Sequence, residues 1–221
     1  IGQLPTGDKD PFALRRHALG VIRMLTERDL PLDLTGLVRA AVPAFGSLIT
    51  DPTEALTDFM FDRLAGSLRE QAYSAQEVDA VLALRPARLG DVARRLQAVR
   101  SFAALPEAVA LAAANKRIGN ILKKSDGVGA SVNAALLAEP AEQALAAAIG
   151  ATVPGADARF EQGDYTASLQ ALAALRAPVD AFFDGVMVNA DDPALKANRL
   201  ALLQQLHTAM NRVADLARLA A

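Results

Sequence analysis

The chain has 221 residues, of which 52% are hydrophobic and 22% are charged, and its formal net charge is −2. This apolar content excludes a largely disordered protein, and the absence of cysteine excludes disulfides, thiolate catalysis and cysteine-ligated metal. No uninterrupted apolar run approaches the roughly 20 residues that a membrane span needs, so we expect a soluble, cytoplasmic protein without a membrane partner. Alanine and leucine supply most of the apolar content, which favours an all-α fold.

Helix starts are marked along the chain by a capping residue followed by proline, at Asp10-Pro11, Asp51-Pro52 and Asp192-Pro193. A capping box formed by Ser74 and Glu77 marks a further start. With the apolar spacing, these features predict helices near residues 11–28, 34–44, 53–71, 75–83, 90–103, 106–124, 141–149, 165–175, 178–188 and 193–219. No strand is predicted.

Loops are predicted at residues 125–131 and 150–157, which are rich in Gly, Ser and Asp. The turn at residues 43–51 is expected to separate a leading appendage, residues 1–50, from a main bundle, residues 51–221. Ile1 stands where an initiator methionine is expected and no signal peptide follows, so we interpret the chain as a fragment. The last helix is expected to pack through one apolar stripe, which contains Leu202, Leu206, Met210, Val213 and Leu216.

Charge is distributed unevenly along the chain. Residues 85–124 contain nine basic and two acidic residues, whereas residues 126–192 contain ten acidic and two basic ones. The first segment is therefore suited to attract a polyanion, and the second is suited to repel one.

The most informative stretch is Asn115-Lys-Arg-Ile-Gly-Asn-Ile-Leu-Lys-Lys124. At 100° per residue its polar side chains share an arc of about 120° on one helix. We call this group the cationic face; it consists of Lys116, Arg117, Asn120, Lys123 and Lys124. The opposite side is apolar and contains Leu111, Ala114, Ile118, Ile121 and Leu122. The rise along the face is roughly 12 Å, enough to meet two successive phosphates of an RNA strand.

Arg94 and Arg95, on the preceding helix, are predicted to extend this surface. A simpler interpretation is that every surface helix needs a solvated side, and that lysines near a helix carboxy end favour its dipole. The sequence has few aromatic residues for base stacking, and at least one member of the Phe182-Phe183 pair is expected to be core.

The other candidate residues are explained better by structural roles, such as helix capping or a turn, than by metal or nucleotide binding. His17 and His207 lack metal-ligand spacing, and capping of the following helix accounts for Asp191-Asp192. The Gly127-Val-Gly129 sequence lacks the third glycine of a nucleotide-binding loop and is expected to be a turn. We predict no catalytic residue and no metal ligand in the chain.

Four segments resemble, in order, the β subunit of the bacterial heterotetrameric (α2β2) glycyl-tRNA synthetase. They are Thr6-Gly-Asp-Lys-Asp-Pro-Phe-Ala-Leu-Arg-Arg-His-Ala-Leu-Gly20, Phe59-Met-Phe-Asp-Arg-Leu64, Asn115-Lys-Arg-Ile-Gly-Asn-Ile-Leu122 and Ala177-Pro-Val-Asp-Ala-Phe-Phe-Asp-Gly-Val-Met-Val188. The resemblance implies a helical anticodon-binding domain of the type shared with arginyl-tRNA synthetase, preceded in residues 1–50 by the end of an HD-like helical region.

The resemblance also implies the partners, tRNA-Gly and the α subunit, and it gives no DNA-binding role. The α subunit would form glycyl-adenylate and hold ATP and Mg, so this chain would be non-catalytic and need no cofactor. Lys116, Arg117, Asn120 and Lys123 lie in the family-like block and suit phosphate contact. Arg199, which resembles part of the anticodon-domain pattern, is expected to contact a base or phosphate, or else to pair with Asp184 or Asp180.

Two other functions remain open from the sequence. One is a helical protein-interaction module, in which the acidic segment or the appendage docks another subunit. The other is a remnant of an HD-type metal-dependent phosphohydrolase, although its ligand set is absent from these residues.

Overall fold

The computed structural model describes residue 5, residues 9–10, residues 12–125 and residues 131–220. The predicted all-α class is confirmed: all the regular elements within these residues are helices, and β-type pairing occurs there only as isolated bridges, such as that between Asp33 and Arg88. Pro11, the Gly127-Val-Gly129 turn and part of the Thr6 to Gly20 segment lie outside the described residues. In the described part of the chain, no helix has the length and apolar character needed to cross a membrane.

The α-helices are α1 Leu14–Glu27, α2 Leu34–Ala41, α3 Thr53–Glu70, α4 Ala75–Leu82, α5 Asp91–Ala103, α6 Ala108–Lys123, α7 Pro140–Glu161, α8 Tyr165–Leu172, α9 Arg176–Gly185 and α10 Pro193–Met210. Short 3₁₀ helices span Val42–Leu48, Ala134–Leu136, Ala173–Leu175 and Leu216–Leu219.

Side-chain caps begin several helices where the sequence predicts them. The backbone N–H and hydroxyl of Thr53 donate to Asp51 at 2.9 and 2.6 Å, and these bonds, the hydroxyl's above all, hold the pKa of Asp51 below its usual range. Ser74 and Glu77 form the predicted capping box. Asp192 accepts from the backbone N–H of Ala194 at 2.7 Å, so its role is to cap α10.

The prediction that residues 150–157 form a loop is wrong, because α7 continues through Pro154 to Glu161. Proline removes the hydrogen bond that its N–H would donate to the carbonyl of Gly150. Both residues are exposed, and a Cβ at Gly150 would meet nothing within 4 Å. Water can therefore satisfy the freed carbonyl, and the helix has room to bend there.

The final predicted helix is also too long, because α10 ends at Met210. The side-chain amide of Asn211 donates to the carbonyl of His207 at 2.7 Å and accepts from the backbone N–H of Leu216 at 3.0 Å. These two bonds replace the next helical turn and reverse the chain. Val213 and Leu216 are buried as the apolar stripe predicts, but they lie beyond the helix.

The chain divides into two compact units, Ile1–Leu96 and Gln97–Ala221, with the division inside α5. The predicted division between residues 50 and 51 falls within the first unit, and the domain assignment stays a prediction. In the first unit α3 packs against α1, α2 and α4.

A wide apolar groove of about 1150 Å³ lies on this first unit, between α1, α2, the following 3₁₀ helix and α3. Several large side chains that line it are strongly exposed, including Phe12, Phe45 and Leu48. We call it the apolar groove.

In the second unit α7 packs against α8, α9 and α10, while α6 packs against α9, α10 and the terminal 3₁₀ helix. Its core contains Leu111, Ile118, Leu145, Ile149, Phe182, Leu202, Leu203, Leu206 and Met210, all almost fully buried. Burial of Phe182 agrees with the expectation that one member of the phenylalanine pair is core. This core holds α6 by one side and leaves its other side at the surface.

Candidate nucleic-acid interface

The five residues of the cationic face are all exposed on α6 or at its end. On the opposite side Leu111 and Ile118 are fully buried and Leu122 is half-buried. Ile121, predicted on that side as well, is half-buried but lines a groove together with Lys116, Arg117, Asn120 and Lys124. Lys123 and Lys124 stand at the carboxy end of the helix, where positive charge is also favoured by the helix dipole.

Asn115, the first residue of the Asn-Lys-Arg block, faces inward and is fully buried. Its amide exchanges two hydrogen bonds with the amide of Asn211, each 2.9 Å long. A buried amide needs such partners because its donor and acceptor have lost water. The block thus combines one anchoring residue with two exposed cations.

A surface groove of about 380 Å³ runs along the cationic face. It is lined by Lys116, Arg117, Asn120 and Lys124 together with Ala113, Ile121 and Ala220. The groove therefore combines cationic and apolar side chains in one lining.

Arg117 does more than present a charge. Its guanidinium carbon lies 4.1 Å from the centroid of the Phe183 ring, a cation–π contact between α6 and α9. Phe183 is half-buried beneath it. This contact could not be predicted from the sequence, because the two residues lie far apart along the chain and only the packing of α6 on α9 joins them.

Gly119 of α6 lies beside His207 of α10. A Cβ at this position would be 3.4 Å from Nε2 of His207. Burial lowers the pKa of His207, and the nearby Lys123 lowers it further, whereas Asp215 acts in the opposite direction. His207 is thus a half-buried residue at the contact between α6 and α10.

The structure corrects the prediction for Arg199. Only 5% of this residue is exposed, and its guanidinium binds Glu142 on α7 and the carbonyl of Met187, the latter at 2.8 Å. Glu142 is itself fully buried and also accepts from the backbone N–H of Glu139 at 2.7 Å. Arg199 pairs with Glu142 and not with Asp184 or Asp180, so its role is internal and not RNA contact.

Asn198, the preceding residue, is buried as well. It accepts from the backbone N–H of Asn133 at 2.7 Å and donates to the carbonyl of Asn133 at 3.1 Å. The Asn198-Arg199 pair therefore fastens α10 to two separate segments of the second unit.

Arg94 and Arg95 belong to the first unit, in the initial part of α5. Arg94 is exposed and forms ion pairs with Asp91 and Asp29. Arg95 is half-buried. That they extend the RNA surface stays a prediction.

Comparison with known families places the cationic face in a defined type of domain. A family model described as a DALR anticodon binding domain matches residues 111–217, which contain most of α6 and also α9 and α10, which pack against it. Residues 111–217 are therefore an anticodon-binding domain of the DALR type, a class of all-helical domains. A further model, described as glycyl-tRNA synthetase beta subunit, matches residues 1–83.

Similar proteins support the same family over the whole chain. Each of three bacterial relatives is a glycine–tRNA ligase beta subunit. The protein of Leptothrix cholodnii is 77% identical over 222 residues, an alignment that covers 100% of this chain and 31% of the relative. Those of Delftia acidovorans and Paracidovorax citrulli are each 70% identical, again over 100% of the chain and over 32% and 31% of their own lengths. The chain belongs to the glycine–tRNA ligase β-subunit family and spans about a third of the length of these relatives.

Proposed function

We propose that this chain binds the anticodon region of tRNA-Gly through the cationic face of α6, while the α subunit of the same ligase carries out aminoacylation. ATP and Mg then belong to the α subunit, and the present chain supplies recognition and no reacting group. The main observation in support is that all five residues of the cationic face are exposed in a DALR-type domain. Four of them, Lys116, Arg117, Asn120 and Lys124, line one groove.

Charge explains why this surface suits RNA better than its surroundings do. Phosphate contacts position a nucleic acid and supply most of its sequence-independent affinity. The acidic segment that follows α6 would repel the same phosphates. Binding is therefore expected to concentrate on the cationic face.

The experiment measures the affinity of the full chain for tRNA-Gly between about 50 and 200 mM salt. Wild-type affinity is expected to fall steeply with salt, because each phosphate contact releases condensed cations. The triple variant K116A/K123A/K124A should bind more weakly and with a shallower salt dependence, while its circular dichroism spectrum stays unchanged.

A charge-matched control removes three basic residues of the same unit outside the face, as R159A/R176A/K196A. It should retain most of the affinity and the salt slope. Equal losses in the two triple variants would contradict the proposal, because only net charge would then matter.

We propose a second role, in subunit assembly, for the apolar groove of the first unit. The relatives are named as beta subunits, which implies a partner subunit, and Leu48 is 82% exposed and Phe45 is 50% exposed beside each other in this groove. Contiguous exposed apolar surface of this kind is typical of protein–protein contacts. The expected occupant is the α subunit.

Size-exclusion chromatography of the chain with the α subunit tests this role. The variant F45E/L48E should fail to co-elute, whereas V109E, which places a charge at a 79% exposed valine of the other unit, should co-elute like wild type. Co-elution of both variants would rule out the groove as the α-subunit contact.

A further inference from the structure

We propose that the groove on α6 binds a single unpaired nucleobase, which stacks on Arg117 and is read at its edge by Asn120. This inference rests on the proposed RNA-binding function and identifies the part of the RNA that the groove takes. It follows from three properties of the groove that phosphate binding alone does not require.

The first property is the apolar part of the groove lining. Phosphates need only cations, but Ala113, Ile121 and Ala220 line this groove beside its polar residues. Its volume of about 380 Å³ lies near the lower end of the range of about 300 to 1,000 Å³ that holds small ligands. A flat, partly apolar group such as one base fits this space, whereas a duplex does not.

The second property is the contact of Arg117 with an aromatic ring. Its guanidinium carbon lies 4.1 Å from the centroid of the Phe183 ring, and the residue is still exposed where it lines the groove. In the described part of the chain no carboxylate lies within salt-bridge distance of Arg117. Unstacked RNA bases bind to both aromatic rings and guanidinium planes, so a base on Arg117 would complete a stack of base, guanidinium and phenyl ring.

The third property is the position of Asn120. It lies one turn after Arg117 on the same side of α6, and its exposed amide carries both donors and an acceptor. Side-chain amides pair with the polar edges of bases. Lys116 and Lys124 lie on either side along the helix, roughly 12 Å apart by helical rise, where they can meet the phosphates that flank the base.

The test uses the full chain with tRNA-Gly transcripts, either intact or carrying one abasic nucleotide at successive positions of the anticodon loop. The variant R117K keeps the charge but loses the planar surface. It should bind intact tRNA about tenfold more weakly, with an unchanged salt slope. One abasic position should weaken wild type by a similar factor and have no further effect on R117K, because the two changes remove the same stack.

Matched variants separate stacking from charge and from folding. R176K makes the same chemical change at an exposed arginine elsewhere in the unit and should bind like wild type. F183L removes the support beneath Arg117 and should reproduce the loss of R117K, while N120A should change the preference among bases at the sensitive position. Thermal unfolding of each variant verifies that it is folded.

The outcomes distinguish the base site from the cationic face. If R117K binds intact tRNA as tightly as wild type while K116A/K123A/K124A binds weakly, the nucleobase site is refuted and the cationic face stands. If the triple lysine variant also binds normally, the proposed function itself fails. Equal effects of abasic nucleotides on wild type and R117K would likewise refute stacking on Arg117.

Discussion

Asn115 and Asn211 exchange two side-chain hydrogen bonds of 2.9 Å, and this pair fixes the rotation of α6 about its own axis. Asn115 directly precedes Lys116 and Arg117, so turning its amide inward turns those two cations outward. Asn211 holds its position through further bonds to the carbonyl of His207 and the backbone N–H of Leu216.

Replacement of Asn115 by alanine should destabilise the protein by about 1 to 3 kcal/mol, because two hydrogen bonds with the half-buried amide of Asn211 are lost. Urea-induced unfolding, followed by circular dichroism, measures this change. The control is N120A, which removes an exposed amide from the same helix and should alter the free energy of unfolding by less than about 0.5 kcal/mol. Equal effects of the two variants would mean that the pair contributes nothing beyond helix propensity.

The buried ion pair between Arg199 and Glu142 predicts a larger loss. R199A leaves the Glu142 carboxylate buried without its charge partner, and the expected cost is about 3 to 5 kcal/mol. R176A, which breaks an exposed pair with Asp180, should cost less than about 1 kcal/mol. Chemical denaturation of both variants provides the comparison, and an R199A protein as stable as R176A would show that Glu142 is not held as described.

Gly119 offers a stabilising substitution. Alanine removes the helix penalty of glycine, and its Cβ at 3.4 Å from Nε2 of His207 makes an ordinary contact, so G119A should gain about 0.5 to 1 kcal/mol. Leucine at this position would displace the imidazole and should destabilise the protein. Thermal melting ranks the three proteins. A loss of stability in G119A would indicate that α6 and α10 pack more tightly than this distance implies.

The lowered pKa of His207 predicts a dependence of stability on pH. Because its pKa in the folded protein lies below the usual value of about 6.5, the unfolded chain binds the proton more readily. This contribution is fully present above about pH 6.5 and is lost as the pH falls through the folded pKa. Urea midpoints measured between pH 7.5 and 5 should decrease for wild type and decrease less for H207Q.

The histidine control is H17Q, which removes an exposed histidine from the first unit. It should retain the wild-type dependence on pH. If H207Q also retains that dependence, other groups are responsible for it.

Helix positions could be predicted from the sequence wherever local chemistry determines them. Asp51, Ser74 and Asp192 cap helices because their side-chain oxygens reach backbone N–H groups two or three residues ahead. Pro154 misled the prediction for the opposite reason: exposure of the surrounding turn lets the helix tolerate it. Whether a proline ends a helix depends on surroundings that the sequence does not specify.

In the candidate site, too, the features that depend on local sequence could be predicted, and those that depend on distant residues could not. The exposure of Lys116, Lys123 and Lys124 follows from helical periodicity, since the apolar residues of α6 must face the core. The burial of Arg199 does not follow from helical periodicity. Its partner Glu142 lies on a different helix, and the residues around Arg199 in the sequence do not indicate this ion pair. Phe183 is hidden for a similar reason, because only the packing of α9 against α6 places its ring under Arg117.

The adjacent residues Asn198 and Arg199 have a consequence for how the second unit assembles. They point from neighbouring positions of α10 to different segments, one to Asn133 and the other to Glu142. If α10 shifted along its axis by one residue, Asn198 would lose its hydrogen bonds to Asn133 and Arg199 would lose its ion pair with Glu142. The two residues therefore determine the position of α10 along its axis. Hydrophobic contacts alone tolerate small shifts and would not define this position as strictly.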